Sequence, residues 1–496
     1  MNDSGFRCPS WLSTGIMYQI FPDRFARGKD YDPPKMNKEY KLRDDWGGTP
    51  EHLPDANGVV QNNDFFGGNL AGIVERLPYL ADLGVTVIYL NPIFEAYSNH
   101  RYDTADYMTI DPLLGSEQDF IHLCKAAKEA GIRILLDGVF NHTGSDSIYF
   151  NKKGRYPGLG AYQSKESPFF PWFRFLEYPD RYESWWGIDT LPSVYEDEPS
   201  YMDYILRKED SVVRHWLRCG ASGFRLDVVD ELPDVFLDTL RIVVKSVDED
   251  AAIIGEVWED ASTKISYGQK RRYLDGRQLD SVMNYPLRTG ILDFLKGRNN
   301  GPEFMALIEQ LKTNYPETVF YGLMNFLSTH DTPRILTVVS EGATQEEGKQ
   351  TLFLALLLWA FLPGIPCIYY GDEIGMAGEK DPFNRACFQQ DIADRAIQVF
   401  YKRILSFRRK TEEAEGFVAQ SYRSGNASDG FFSFHREGSH SRLLAGVNAG
   451  NEPMLLPLDL KEGETISDFI ICGDVSFSDL STYRIGRRSG VVVRIV

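Results

Sequence analysis

The chain is short of positive charge: 53 Lys and Arg stand against 71 Asp and Glu, for a formal net charge of −18. Such a surface repels phosphate backbones and anionic bilayers, so nucleic acid is excluded as a natural partner. Cysteine is also scarce, with six in 496 residues (Cys8, Cys124, Cys219, Cys367, Cys387, Cys472), scattered without metal-ligand spacing. That pattern excludes a disulfide framework and predicts free thiols in a reducing compartment. Long apolar runs are absent. The longest, Leu352 to Leu362, stops at Pro363-Gly364, well short of the ~20 residues of a membrane helix, and is expected as a buried helix. The amino terminus, MNDSGFRCPSWLSTG, has no basic lead with an apolar stretch behind it, so no export signal is read and a cytoplasmic location is expected. No repeat of about 20 to 50 residues and no Gly/Ser or Pro linker is found.

What is present is an ordinary globular composition, 43% hydrophobic and 25% charged, on a chain long enough for two or three domains unless one is an α/β barrel. Short β-rich runs alternate with helical patterns: IMYQIF (16–21), VTVIYL (85–90), IRILLD (132–137), GFRLDV (223–228), AAIIGE (251–256), SVMNY (281–285), FLST (326–329) and CIYYG (367–371). Eight parallel βα units are the number that closes a barrel, so an α/β fold of the (β/α)8 TIM type is expected, with a doubly wound open sheet as the alternative. Between Asn141 and about Tyr201 the periodicity fails in a Gly-, Pro- and aromatic-rich stretch, FFPWFRF and ESWWG included. It is too long for an ordinary loop and is expected as an inserted domain after the third strand. After about Glu413, alternating strands such as FFSFH, RLLAGVN and GVVVRIV predict a separate all-β domain. The expected division is a barrel over 1–140 and 202–413, an insertion over 141–201 and a C-terminal β-sandwich over 414–496.

The chemistry-bearing residues gather at strand ends. Arg225 and Asp227, two apart, share one face of the fourth strand. The guanidinium is expected to lower the acid's pKa and keep it ionised, the state a nucleophile needs. The fifth strand ends in Glu256, near Trp258, where partial desolvation raises a carboxyl pKa as a proton donor requires. Two carboxylates on neighbouring strands suit the ~5 Å gap of a retaining glycosidase. The seventh strand adds His330 and Asp331, and the third adds Asp137, Asn141 and His142. Each alone reads as a cap or a structural group. Four strands presenting such residues at their carboxyl ends are hard to explain as stability, since burying charge is costly.

DGVFNH (137–142), GFRLDVVDE (223–231), GEVW (255–258) and FLSTHD (326–331) resemble, in order and spacing, the four sequence regions of the α-amylase superfamily, glycoside hydrolase family 13. The resemblance implies Asp227 as nucleophile, Glu256 as general acid/base and Asp331 as stabiliser of the transition state. His142, Arg225 and His330 would surround the same glucose, with Trp258 beside the acid. Tyr102 in HRYDTADY resembles the ring that stacks on that sugar, Asp103 the acid next to it, and Asp381 and Arg385 in DPFNR a pair that grips the next sugar.

MYQIFPDRF, FFGGNLAGI, SVMNYP, HDTPRILT and CIYYGDEIGMAGEKDP resemble the neopullulanase, cyclomaltodextrinase and maltogenic amylase branch. This implies a retaining α-glucan hydrolase acting on α-1,4 bonds, with α-1,6 bonds as a further target given Val228 after the nucleophile. Its substrates would be maltooligosaccharides, cyclodextrins or pullulan. Open alternatives are an oligo-1,6-glucosidase or α-glucosidase, an α-glucanotransferase and, more remotely, a non-catalytic amylase-like binding protein.

The first barrel strand starts almost at once, so the expectation is a chain without that branch's N-terminal β domain, which leaves the oligomeric state open. Where relatives carry a calcium loop, this sequence has Arg27-Gly28-Lys29-Asp30-Tyr31-Asp32, with Asn69 in place of an acid. At the second family calcium position Glu231 replaces a His. No metal and no other cofactor is expected, and Asn141 is left a structural role. Glu259, where relatives often carry His, is expected to act on the leaving-group side. The aromatics Phe169, Phe170, Trp172, Trp185 and Trp186 are read evenly as a sugar-binding wall or as the core of the insertion.

Overall fold

A strand buried on both faces needs apolar residues on both, and the sequence supplies eight such runs that pair into one parallel sheet. In the computed structural model, which describes residues 8–29, 32–34, 38–56, 58–415, 421–479 and 481–496, these are β1 (Met17–Ile20), β2 (Val87–Leu90), β3 (Arg133–Gly138), β4 (Gly223–Leu226), β5 (Ala252–Gly255), β6 (Ser281–Val282), β7 (Met324–Phe326) and β8 (Ile365–Tyr369). Their order is β6-β5-β4-β3-β2-β1-β8-β7, and a parallel bridge from Met283 to Met324 joins the two ends into a barrel.

Alternation decides what faces the barrel axis. Met17, Val87, Leu135, Ala252, Ile254, Met324, Ile365 and Cys367 form an inner apolar cluster, distinct from the larger core between strands and helices. Two residues further along β1, β3 and β5 stand Gln19, Asp137 and Glu256, so the inner layer of these strands turns from apolar to polar at the carboxyl end. Helices Leu70–Leu83, Glu117–Glu129, Val212–Arg218, Asp234–Val247, Tyr285–Leu295, Gly301–Asn314, Gln345–Phe361 and Arg395–Glu415 cover the outside. Between β5 and β6 a hairpin, Ile265–Ser266 with Gln269–Lys270, stands in place of a helix.

The seventh strand lies earlier than FLST suggests. Ser328 and Thr329 have already left the sheet, accepting hydrogen bonds from the backbone N–H of Ile335 (2.7 Å) and Asp331 (3.1 Å). Between β3 and β4 the chain forms an irregular layer around Tyr149, Phe150, Trp172, Phe173 and Tyr182. The run 352–362 forms the end of the helix Gln345–Phe361 and its C-cap Leu362, and its residues other than the half-buried Phe353 are buried.

From Tyr422 onward a five-stranded and a three-stranded antiparallel sheet enclose Phe431, Leu444, Leu456, Tyr483, Val491 and Val493, which makes this part a β-sandwich. All six cysteines are unpaired. Among the described residues, no helix is long and apolar enough to cross a membrane.

Candidate active site

Arg225 on β4 is the centre of the site. Its side chain is fully buried and touches three carboxylates: Nη1 lies 2.8 Å from Asp137 and 3.0 Å from Asp227, and Nη2 lies 2.8 Å from Glu256. Register explains the convergence, since Arg225 pairs with Asp137 on β3 and Ile254 on β5. Asp227 and Glu256 are the first residues after their strands, pointing where inward residues point. Neighbouring nitrogens of one planar guanidinium thus hold the two acids side by side at the barrel mouth.

Val228 sits at φ 40°, a left-handed conformation that a β-branched residue rarely adopts. Its backbone N–H donates to Glu256 Oε2 at 2.9 Å. Trp258 Nε1 donates to the other oxygen, Oε1, at 3.0 Å. The Trp258 ring, half exposed, stacks on Tyr285 at 4.2 Å between centroids. Glu256 is therefore fixed at both oxygens beside an aromatic surface open to the cleft.

Three carboxylates around one cation carry a surplus of negative charge, and burial sharpens it. Burial pushes Asp227 well above the ordinary carboxylate range; Arg225 opposes this, while Glu256, Asp137 and Asp331 add to it. The expectation of an Asp227 held low by its arginine is thus reversed in the ligand-free site, because desolvation and like charge together outweigh one guanidinium. Asp137 is raised as well, again chiefly by burial.

On the far side of Arg225 lies a second cluster. The Tyr102 hydroxyl donates to Asp137 Oδ2 at 2.8 Å, accepts from Asn91 Nδ2 at 3.0 Å, and lies 2.6 Å from His330 Nε2. The Tyr102 and His330 rings are parallel, with centroids 5.3 Å apart. Burial lowers His330 well below the usual histidine value, so the ring is neutral. Gln19 Nε2 sits 2.9 Å from Nδ1 and can only donate there as assigned, which leaves the proton on Nε2, facing Tyr102 and, at 3.1 Å, Asp331. Arg385 donates through Nε to the His330 carbonyl at 3.0 Å and reaches Asp331 at 3.6 Å and Asp381 at 3.5 Å. His142 donates through Nε2 to the Tyr102 carbonyl, 3.0 Å away, and burial lowers its pKa to about 4.

The structure therefore brings together Tyr102, His142, Arg225, Asp227, Glu256, Trp258, His330, Asp331, Asp381 and Arg385 around one cleft. Asp103 lies next to Tyr102, but its carboxylate turns away to accept from the Ser98 backbone N–H at 3.1 Å and from the Ser98 hydroxyl. Glu259 is engaged by Lys264. Sequence reasoning missed Gln19, Tyr89 and Asn91. A lone polar residue at an inward position of an apolar strand is the signal that could have found them: Tyr89 donates to Asp137 at 2.6 Å, and Gln19 lies in register with Tyr89.

Of the two calcium positions implied by resemblance, the first does not offer calcium a donor set. At the first, Arg27 Nη2 donates to the carbonyls of Arg43 (3.0 Å) and Phe66 (2.6 Å), so a fixed cation already holds those oxygens. Asn69 Oδ1 is spent on the N–H groups of Gly28 and Gly72, capping the helix Leu70–Leu83; Asp30 and Tyr31 of that loop lie outside the described residues. At the second, Asn141 accepts from the Val194 N–H through its backbone carbonyl at 3.2 Å, and Glu231 accepts from the Tyr267 hydroxyl. The Asn141 side-chain amide there is buried without a hydrogen-bond partner and lines one cavity with Glu196 and Glu231. Of the described residues, the group of three His, Cys, Asp or Glu side chains within metal-bridging reach is Glu117, His215 and Cys219, on two outer helices.

The insertion's aromatics divide between the two readings. Phe169 and Trp172 pack on Tyr149 (5.2 and 5.1 Å) and belong to a core. Trp185 instead stacks on His142 at 5.5 Å, beside the cleft.

Comparison with known proteins adds the following. The family description "Alpha amylase, catalytic domain" matches residues 19–416. An amylopullulanase of Thermoanaerobacterium saccharolyticum is 37% identical, covering 96% of this chain but 41% of the relative; the chain thus spans about two-fifths of that protein's length. A cyclomaltodextrinase of Thermoanaerobacter pseudethanolicus is 33% identical over 92% of this chain and 74% of its own. The solved structure of a cyclic α-maltosyl-(1→6)-maltose hydrolase from Arthrobacter globiformis superposes with a TM-score of 0.79 at 27% identity, covering 98% of this chain and 99% of that one.

Proposed function

Because the chain belongs to the α-amylase catalytic-domain family, we propose that it is a retaining α-glucan hydrolase, cleaving α-1,4 bonds and also α-1,6 bonds in maltooligosaccharides, cyclodextrins or pullulan. The observation that carries this reading is the pair Asp227 and Glu256, gripped by one buried guanidinium at the carboxyl ends of adjoining strands. The action on α-1,6 bonds is supported by the likeness to the Arthrobacter cyclic α-maltosyl-(1→6)-maltose hydrolase, whose chain this one covers almost entirely.

In the reaction, a glucosyl ring enters between Tyr102 and the acids. Glu256 protonates the glycosidic oxygen while Asp227 attacks the anomeric carbon, and water activated by Glu256 then resolves the covalent intermediate with net retention. Asp331, held by Arg385 and facing His330, binds ring hydroxyls more tightly as the ring flattens, which is differential stabilisation of the transition state. We assign no step to a metal, and the Arg27 guanidinium is our reason for leaving calcium out of the first family position. A cytoplasmic setting is our reading from the six unpaired thiols.

The test is product chromatography on maltotriose, a cyclodextrin, pullulan and isomaltose. Maltose and glucose from the first two are the expected outcome. Activity confined to isomaltose would make the chain an oligo-1,6-glucosidase, and an inert protein on all four would revive the binding-protein alternative.

A further inference from the structure

On the outside of the barrel, two neighbouring helices turn a His, a Cys and a Glu toward one point. His215 and Cys219 are four residues apart and share one face of the helix Val212–Arg218, whose last turn closes with the Cys219 N–H donating to the His215 carbonyl at 2.9 Å. Glu117 opens the helix Glu117–Glu129, whose start is set by a capping box between Ser116 and Asp119. One ligand atom from each of the three lies within 4.8 Å of the others. His215 Nε2 is 3.0 Å from Glu117 Oε2 and 3.7 Å from Cys219 Sγ. Spacing between cysteines alone conceals the group, because its ligand types differ and Glu117 stands 98 residues before His215.

One ring nitrogen cannot fully bond both neighbours, since Nε2 carries either one proton or one lone pair. As a donor to the carboxylate it leaves the Cys219 thiol outside that bond. As an acceptor from the thiol it sets a lone pair against the Glu117 oxygen. A cation at the centre of the triangle bonds all three. Zn²⁺ takes nitrogen, oxygen and sulfur at about 2.0–2.3 Å, and tetrahedral angles then separate N from O by about 3.3 Å and N from S by about 3.6 Å. The observed edges of 3.0 and 3.7 Å lie within about 0.3 Å of those values. Mixed nitrogen, oxygen and sulfur donors favour zinc over calcium or magnesium, which take oxygen.

The packing beneath holds the ligands in place. Phe120 of one helix stands edge to face on Trp216 of the other at 5.5 Å, both fully buried, and the His215 ring stands edge to face on the same indole at 4.8 Å. Gly220, at φ 114°, lets the two helices approach, since a Cβ there would meet Cys124 Cβ at 2.7 Å. The three ligands are themselves partly exposed, so an ion reaches them from solvent and water completes the shell. The two helices lead into β3 and β4, the strands that carry Asp137 and Arg225.

We propose that Glu117, His215 and Cys219 form a zinc site, with water as the fourth ligand, that clips together the helices leading into β3 and β4. Cys219 gives its thiol proton to solvent as the zinc–sulfur bond forms, since the thiolate is the ligand. The site shares no residue with the cleft and does not rest on the hydrolase reading. Its effect is on the fold, because an ion bound only by the folded chain stabilises it.

The experiment uses the full chain, stripped with EDTA and titrated with Zn²⁺ alone, or with Co²⁺ as a coloured probe. Expected are one ion per chain, a thiolate-to-cobalt charge-transfer band that zinc displaces, and a melting temperature raised by about 2–3 °C when zinc is at about a hundred times its Kd. Cys219→Ser is expected to abolish the band, and His215→Gln and Glu117→Gln to weaken zinc binding at least about tenfold. Melts of the stripped variants that match the stripped parent separate loss of a ligand from loss of the fold. Should a variant fail to fold, X-ray absorption at the zinc edge of the parent decides, with one sulfur at about 2.3 Å expected. Absence of stoichiometric binding, a band that survives in Cys219→Ser, or a zinc shell without sulfur would overturn the site and leave a plain ion pair between His215 and Glu117.

Discussion

At the residue scale, the account turns on how one environment assigns two acids different tasks. Glu256 is held at both oxygens, by the Val228 N–H, the Trp258 indole and Arg225, so its position is fixed. If it acts as the acid, replacing it by glutamine should hurt only where the leaving group needs protonation. Glu256→Gln is expected to lower kcat on maltotriose by about 10²–10⁴-fold while retaining most of the first-step rate on α-maltosyl fluoride, measured by fluoride release. Equal losses on both substrates would assign Glu256 a structural role. Asp227, Glu256 and Asp331 were legible because each lies in a sequence motif. Tyr89 and Gln19 were not, since a single polar residue in an apolar strand has no motif, and only the inward parity seen in the fold connects it to Arg225.

At the element scale, β8 runs into a short turn whose carboxyls are buried. Glu373 accepts from the hydroxyls of Tyr18 (2.8 Å) and Tyr79 (2.7 Å) and from the Gly371 N–H (2.8 Å), yet burial raises it to about 7, with Asp372 alongside at about 6. A carboxyl raised in the folded state holds its proton more tightly than in the unfolded chain. Its contribution is therefore fully present below about pH 4.5 and is lost as pH rises to about 7. For Glu373 the swing is of order 3 kcal/mol. Urea midpoints measured from pH 5 to 8 are expected to fall across this window, and Glu373→Gln is expected to flatten the fall. An unchanged slope in the variant would show that other groups set it. The position of β7 was the element least legible in sequence. FLST reads as a strand by propensity, but Ser328 and Thr329 satisfy backbone donors of the following loop instead, a local competition that composition does not reveal.

On the scale of the whole molecule, the helix Gln345–Phe361 belongs to two cores. Its inner side packs on the barrel, and Leu354 and Leu357 lie against Gly490 in the sandwich, where a Cβ would meet Leu357 Cδ1 at 2.8 Å. Arg436 of the sandwich donates to the Phe361 carbonyl at 3.0 Å. Leu357→Ala is expected to cost about 2–5 kcal/mol and, because the interface is shared, to lower a single calorimetric transition rather than split it. Two separated transitions would contradict the shared core. Eight strand runs made the barrel legible, and the change to strict alternation made the β-rich tail legible.

The central claim is that Asp227 becomes covalently bonded to the sugar. Incubating the protein with 5-fluoro-α-glucosyl fluoride, whose electron-poor ring slows release, and mapping the adduct by peptide mass spectrometry tests it most directly. The account predicts one glycosyl group per chain, on the peptide carrying Asp227, absent from Asp227→Asn. Turnover without any adduct, with a β-configured first product by NMR, would contradict it.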